Sequence, residues 1–105
     1  MDVGATIVDW SNATYRVSKA HGFEEEPINI DQKLVLAIGE LVEAQNELRD
    51  GRAPNELYYL DGKPEGFGIE LADAVIRILN LAKSLHINLE LCMELKQRSD
   101  RKSVV

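Results

Sequence analysis

Glu70, Asp73, Arg77 and Asn80 recur at helical spacing inside a segment that is otherwise nearly all apolar, from Ile69 and Leu71 through Val75, Ile76, Ile78 and Leu79 to Leu85. Residues three, four and seven apart stack on one face of an α-helix. A solvated helix carries a wide polar face. A narrow polar stripe on a cylinder that is apolar nearly all round predicts a helix packed on most sides, with its stripe turned away from bulk water. Earlier in the chain, Glu40, Glu43 and Glu47 repeat the spacing, flanked by Ile38, Leu41, Val42, Ala44 and Leu48.

Two carboxylates about 5 Å apart repel by roughly 3 kcal/mol at an effective dielectric near 20. Several that converge in a packed interior repel more, before the cost of desolvation is added. Either some of them hold protons at pH 7, or a multivalent cation sits among them. An all-oxygen set favours Mg²⁺, with Mn²⁺ as a substitute, over zinc, which prefers sulfur and nitrogen. Mg²⁺ keeps waters and accepts phosphate oxygens, so a phosphate-bearing ligand follows from the metal. The competing reading is a plain ion-pair stripe in which Arg77 satisfies Asp73. A di-iron bundle needs Glu-x-x-His on two helices, and His21 and His86 are not placed that way.

The periodicity predicts an all-α protein: a four-helix bundle-type domain, residues 1–105 forming a single unit, completed by oligomerisation. The helices are expected from about Val3 to Ala20, Asp31 (as N-cap) to Asp50, Gly68 to Leu85, and from near Asn88 until the pattern fades after Lys96. Glu24-Glu25-Glu26-Pro27 reads as a connector, and residues 51–66 as one long loop punctuated by Pro54, Gly62, Pro64 and Gly66. Loops of this length in small domains are more often functional than idle.

The 105 residues suit one domain. The formal net charge of -6 repels nucleic acid and anionic membrane, and repels a free nucleotide as well unless the acids hold a cation. No apolar run reaches the roughly 20 residues of a membrane span, and the start of the chain lacks a signal-peptide pattern. Cys92 is the only cysteine, which fits a reducing cytoplasm.

Gly39-Glu40-Leu41-Val42-Glu43-Ala44, Asn55-Glu56-Leu57-Tyr58-Tyr59, Lys63-Pro64-Glu65-Gly66 and Glu70-Leu71-Ala72-Asp73-Ala74-Val75-Ile76-Arg77 together resemble the MazG-like all-α NTP pyrophosphohydrolases. That family is marked by ExxE, an insert and ExxD in this order, and the likeness covers roughly Gln32 to Ile87. It implies Mg²⁺-dependent hydrolysis of an NTP or dNTP to the monophosphate and pyrophosphate, in nucleotide-pool house-cleaning, by a homodimer or homotetramer. It implies Glu40, Glu43, Glu70 and Asp73 as metal ligands. The proton acceptor for the attacking water is then Glu47 or one of the metal-binding glutamates, Glu40 or Glu43. Lys63, Arg77 and Lys96 are the candidate phosphate contacts. The chain departs from the family pattern at Gly39, Asn80 and Asp100.

Trp10, Asn12 and Tyr15, on the first helix, are the candidates for stacking on or hydrogen-bonding a nucleobase, although aromatics at helical spacing are more often core. The alternative to an enzyme is a non-catalytic module of the same build, which binds a Mg²⁺-nucleotide or assembles through its helices.

Overall fold

A computed structural model describes residues 5–22 and 27–104. It is mostly helical, as expected: α1 (Ile7–Ala20), α2 (Ile30–Arg49), α3 (Phe67–Ser84) and α4 (Leu89–Val104), with a two-stranded sheet, β1 (Tyr58–Leu60) and β2 (Lys63–Glu65), between α2 and α3. No described helix is long and apolar enough to cross a membrane.

Caps account for where the helices begin. Thr6 accepts from the Asp9 backbone while the Asp9 carboxylate accepts from the Thr6 backbone, a reciprocal capping box that starts α1 at Ile7. Val3, where the periodicity placed the start, and the acidic run Glu24 to Glu26 lie outside the described residues. Asn29, not Asp31, caps α2 by accepting from the Gln32 backbone at 3.0 Å. Asp31 instead falls in the first turn, where its charge opposes the positive end of the helix dipole. Asn88 caps α4 through the Leu91 backbone at 3.0 Å. That helix continues past Lys96 to Val104, with Lys96 paired to Asp100 one turn on at 2.8 Å.

The segment expected to be one irregular loop contains a β-hairpin. Tyr58 faces Glu65, Tyr59 faces Pro64 and Leu60 faces Lys63 across it. Asp61 and Gly62 turn the chain with φ of 52° and 78°, the left-handed pair that lets a two-residue turn follow the twist of its strands. An Asp-Gly dipeptide after Tyr-Tyr-Leu carries this signal openly, and three-residue strands are too short to show alternation.

Gly66 closes the hairpin and begins α3, its carbonyl accepting from the Glu70 backbone at 3.1 Å. Its φ is 131°, and a Cβ there would stand 2.4 Å from the Glu56 carbonyl oxygen. Gly66→Ala is therefore expected to cost about 2 kcal/mol or more, because both backbone strain and a backbone clash oppose it. Urea unfolding measures this directly, and a loss below about 0.5 kcal/mol would show that the hairpin is free to shift away.

The chain divides into two compact units, residues 29–78 and residues 1–28 with 79–105, so that α3 runs through both. In the first lie α2, the hairpin and most of α3, with Ala37, Ala44 and Ala74 buried. In the second, α1 packs with α4. There the Ser11 hydroxyl donates to the Leu79 carbonyl at 3.1 Å, and Ser18, Leu79 and Ala82 are buried.

The expected covering of α3 on most sides is not met within one chain. Leu71, Val75 and Ile78 are exposed, as are Leu34, Val35, Ile38, Leu41 and Val42 on α2. Among the described residues, four of the five buried hydrophobic side chains are alanines.

Candidate metal centre

The helical stripes expected from the spacing meet within the unit of residues 29–78. Glu40 of α2 and Glu70 and Asp73 of α3 each bring one carboxylate oxygen to a point where all three lie within 4.8 Å of one another. A second group, Glu47, Glu65 and Glu70, meets the same limit and shares Glu70 with the first. Glu40, Asp73, Glu47 and Glu65 are half-buried, and Glu70, at the centre, is buried. The chain thus brings acids from two helices and a hairpin to one locus, with Glu70 common to both groups.

The electrostatics show the strain this creates. Burial first, then the hydrogen bond with Glu40, then the charges of Asp73, Glu40 and Glu65 push the Glu70 carboxyl up to about 7 from an ordinary 4.5. Near neutrality Glu70 accordingly keeps a proton about half the time and donates it toward Glu40. Asp73 is raised as well, by burial and then by the Glu40 charge, with Arg77 pulling the other way. One cation already sits at the edge of the group: Arg77 Nε donates to Glu40 Oε1 at 2.8 Å. The ion pair read from the sequence as Asp73 to Arg77 is thus made to Glu40, on the neighbouring helix.

Oxygens this close and this chemically uniform fit a hard divalent ion. Mg²⁺ holds its ligands at about 2.0–2.1 Å, which puts oxygens on opposite sides of one ion about 4 Å apart. The oxygens of Glu40, Glu70 and Asp73, within 4.8 Å of one another, are close to that span.

Other candidates from the sequence are not members of these acidic groups. Glu43 is exposed and belongs to neither acidic group. Lys63 is exposed on β2. Lys96, exposed on α4, is paired with Asp100. Trp10 is exposed, while Asn12 and Tyr15 are half-buried. Asn12 lines a cavity of about 320 Å³ with Ser11, Lys83 and His86, all within the unit of residues 1–28 and 79–105.

Two residues of the acidic locus were not singled out by spacing, Glu65 and Tyr58. Both stand on the hairpin, opposite each other. The Tyr58 hydroxyl lies 2.9 and 3.0 Å from the two Glu47 oxygens. A hairpin read from Asp61-Gly62 would have paired Tyr58 with Glu65 and pointed to both.

Comparison of the chain with family models, with curated proteins and with solved structures finds no match. The chemistry of the site is therefore read from its own side chains.

Proposed function

We propose that the protein is a Mg²⁺-dependent nucleoside triphosphate pyrophosphohydrolase, releasing pyrophosphate and a nucleoside monophosphate. The observation that carries this reading is the convergence of Glu40, Glu70 and Asp73 from two helices, buried or half-buried and with one carboxyl pushed up to about 7. That arrangement is costly as it stands and is relieved by a divalent ion. The ordered likeness to the MazG-like sequences supplies the substrate class; the acidic geometry supplies a place for the metal.

In this reading Glu40, Glu70 and Asp73 hold Mg²⁺, and Glu70 gives up its proton when they do so. The ion, when bound, neutralises phosphate oxygens and acidifies a coordinated water. Glu47, beside the same locus, accepts the proton of the attacking water. Arg77 commits Nε to Glu40 and offers its terminal nitrogens to a phosphate, since guanidinium carries five N–H donors. Glu43 remains assigned to the ion with Glu40, Glu70 and Asp73, and Lys63 to phosphate.

The assembled protein is a homodimer or homotetramer in the reducing cytoplasm. Leu34, Val35, Ile38, Leu41 and Val42 lie along one side of α2, and Val35 is 63% and Ile38 58% exposed. An apolar face of this kind suits a second copy of the chain, which offers the same face in return.

The test is a panel of NTPs and dNTPs incubated with the protein and millimolar Mg²⁺. Pyrophosphate is expected from at least one nucleotide, and is expected to disappear with EDTA. Tight Mg²⁺-dependent nucleotide binding without pyrophosphate would mark the chain as a non-catalytic module instead.

A further inference from the structure

We propose that Tyr58 is a positioning residue for Glu47, holding that carboxylate in place beside the acidic locus as a proton acceptor. The proposal rests on the hydrolytic reading of that locus and adds the hairpin to its working parts.

The geometry is specific. The Tyr58 hydroxyl lies within hydrogen-bond distance of both Glu47 oxygens, at 2.9 and 3.0 Å. A single donor shared between the two oxygens holds the end of the Glu47 side chain against the hairpin. A carboxylate offers about four lone-pair sites. One shared hydroxyl leaves most of them free for water, so the contact holds Glu47 without exhausting it. Glu47 then stands with Glu65 and Glu70, one oxygen of each within 4.8 Å of the others.

The tyrosine is itself held. The Arg52 guanidinium carbon lies 3.8 Å from the centre of its ring. A cation over the ring face draws electron density from the phenol and makes its O–H a better donor. Arg52 is in turn tied to Glu56 at 2.8 Å, and Glu56 also accepts from the Ala53 backbone. The Glu56 carbonyl is the group that Gly66 closely approaches.

The hairpin is thus anchored to its own base by the Arg52–Glu56 pair, the Asp61-Gly62 turn and the Gly66 approach. The Tyr58 hydroxyl takes no part in those three contacts. Its bond to Glu47 reaches out of the hairpin to α2, and Glu47 is the group it serves.

Tyr58→Phe keeps the ring under Arg52 and removes only the hydroxyl. With Mg²⁺ and the best nucleotide of the panel, kcat is expected to fall about tenfold and KM to stay within about twofold, a fraction of what a positioned proton acceptor contributes. In the Glu47→Gln background, the same change is expected to do nothing further, since the group it positions is gone. Mn²⁺ affinity, measured by calorimetry without nucleotide, is expected to stay within about twofold, because Glu40, Glu70 and Asp73 keep the ion.

An unchanged kcat in Tyr58→Phe overturns the proposal, as does an equal loss in the Glu47→Gln background. A fall in Mn²⁺ affinity in step with kcat also overturns it, since Tyr58 would then be maintaining the ion site. Wild-type protein that makes no pyrophosphate overturns the parent reading instead, and so the two failures are told apart by the wild-type arm. Should Tyr58→Phe not fold, Glu47→Gln approaches the same bond from its other end: there the loss of kcat with unchanged Mn²⁺ affinity is expected, and wild-type kcat rules the role out.

Discussion

Glu70→Gln is expected to abolish pyrophosphate release, by about 10³-fold or more, while making the metal-free protein more stable at pH 8. The loss follows from position. Glu70 is the one acid common to both groups, and a neutral amide there removes charge from the centre of the ion site. The gain follows from the same charge in the absence of metal. Burial, Glu40, Asp73 and Glu65 all oppose ionisation of Glu70, and glutamine keeps the shape and donates to Glu40 as the protonated acid does.

At pH 8 the metal-free variant is expected to exceed wild type by about 1 kcal/mol, the nominal linkage value being cut by solvent screening. At pH 5.5, where folded Glu70 holds its proton but the unfolded chain has mostly lost it, the advantage is expected to shrink to less than half, and it disappears only below the ordinary value of 4.5. Urea unfolding in EDTA at the two pH values measures both arms. A variant that is less stable than wild type at pH 8, or that retains turnover, would contradict a strained acidic centre.

The second large effect is the response of wild type to Mg²⁺ itself. At pH 8 and about 100 times its dissociation constant, Mg²⁺ is expected to add about 2.7 kcal/mol. For a domain of this size that moves Tm upward by about 10 °C or more. Metal binding requires the carboxylate form. With Glu70 at about 7, affinity falls about tenfold for each pH unit below that point. At pH 5.5 the same Mg²⁺ concentration is expected to give about a third of the free-energy gain.

The metal-free protein responds to pH in the opposite sense. Glu70 has a folded value above its ordinary 4.5, so the contribution of its proton to folding is complete below 4.5. It is lost as pH rises toward 7, and Asp73, raised in the same direction, adds to the decline. Thermal melts across pH 5.5 to 8, with Mg²⁺ and with EDTA, separate the two trends. A Tm that ignores Mg²⁺ at every pH would leave the acids as a solvated ion-pair network.

The helices were legible because their signals are local. Spacing of three and four gave α2 and α3, and it placed Glu40 with Glu47 and Glu70 with Asp73 on common stripes. The hairpin was less legible: strands of three residues are too short for alternation to register, although Asp61-Gly62 marked the turn. Glu65 and Tyr58 were missed with it, because their part in the site depends on facing each other across a turn, not on any spacing along a helix.

Composition and periodicity were enough to decide the helical class and the acidic stripes, since these depend on neighbours within a turn or two. Only the folded chain could decide which acids share a locus. It seats Glu40 with Glu70 and Asp73, leaves Glu43 in water, turns Arg77 to Glu40 in place of Asp73, and brings Tyr58 to Glu47. Those pairings join residues far apart in the chain, and the burial that raises Glu70 to about 7 exists only once they have met.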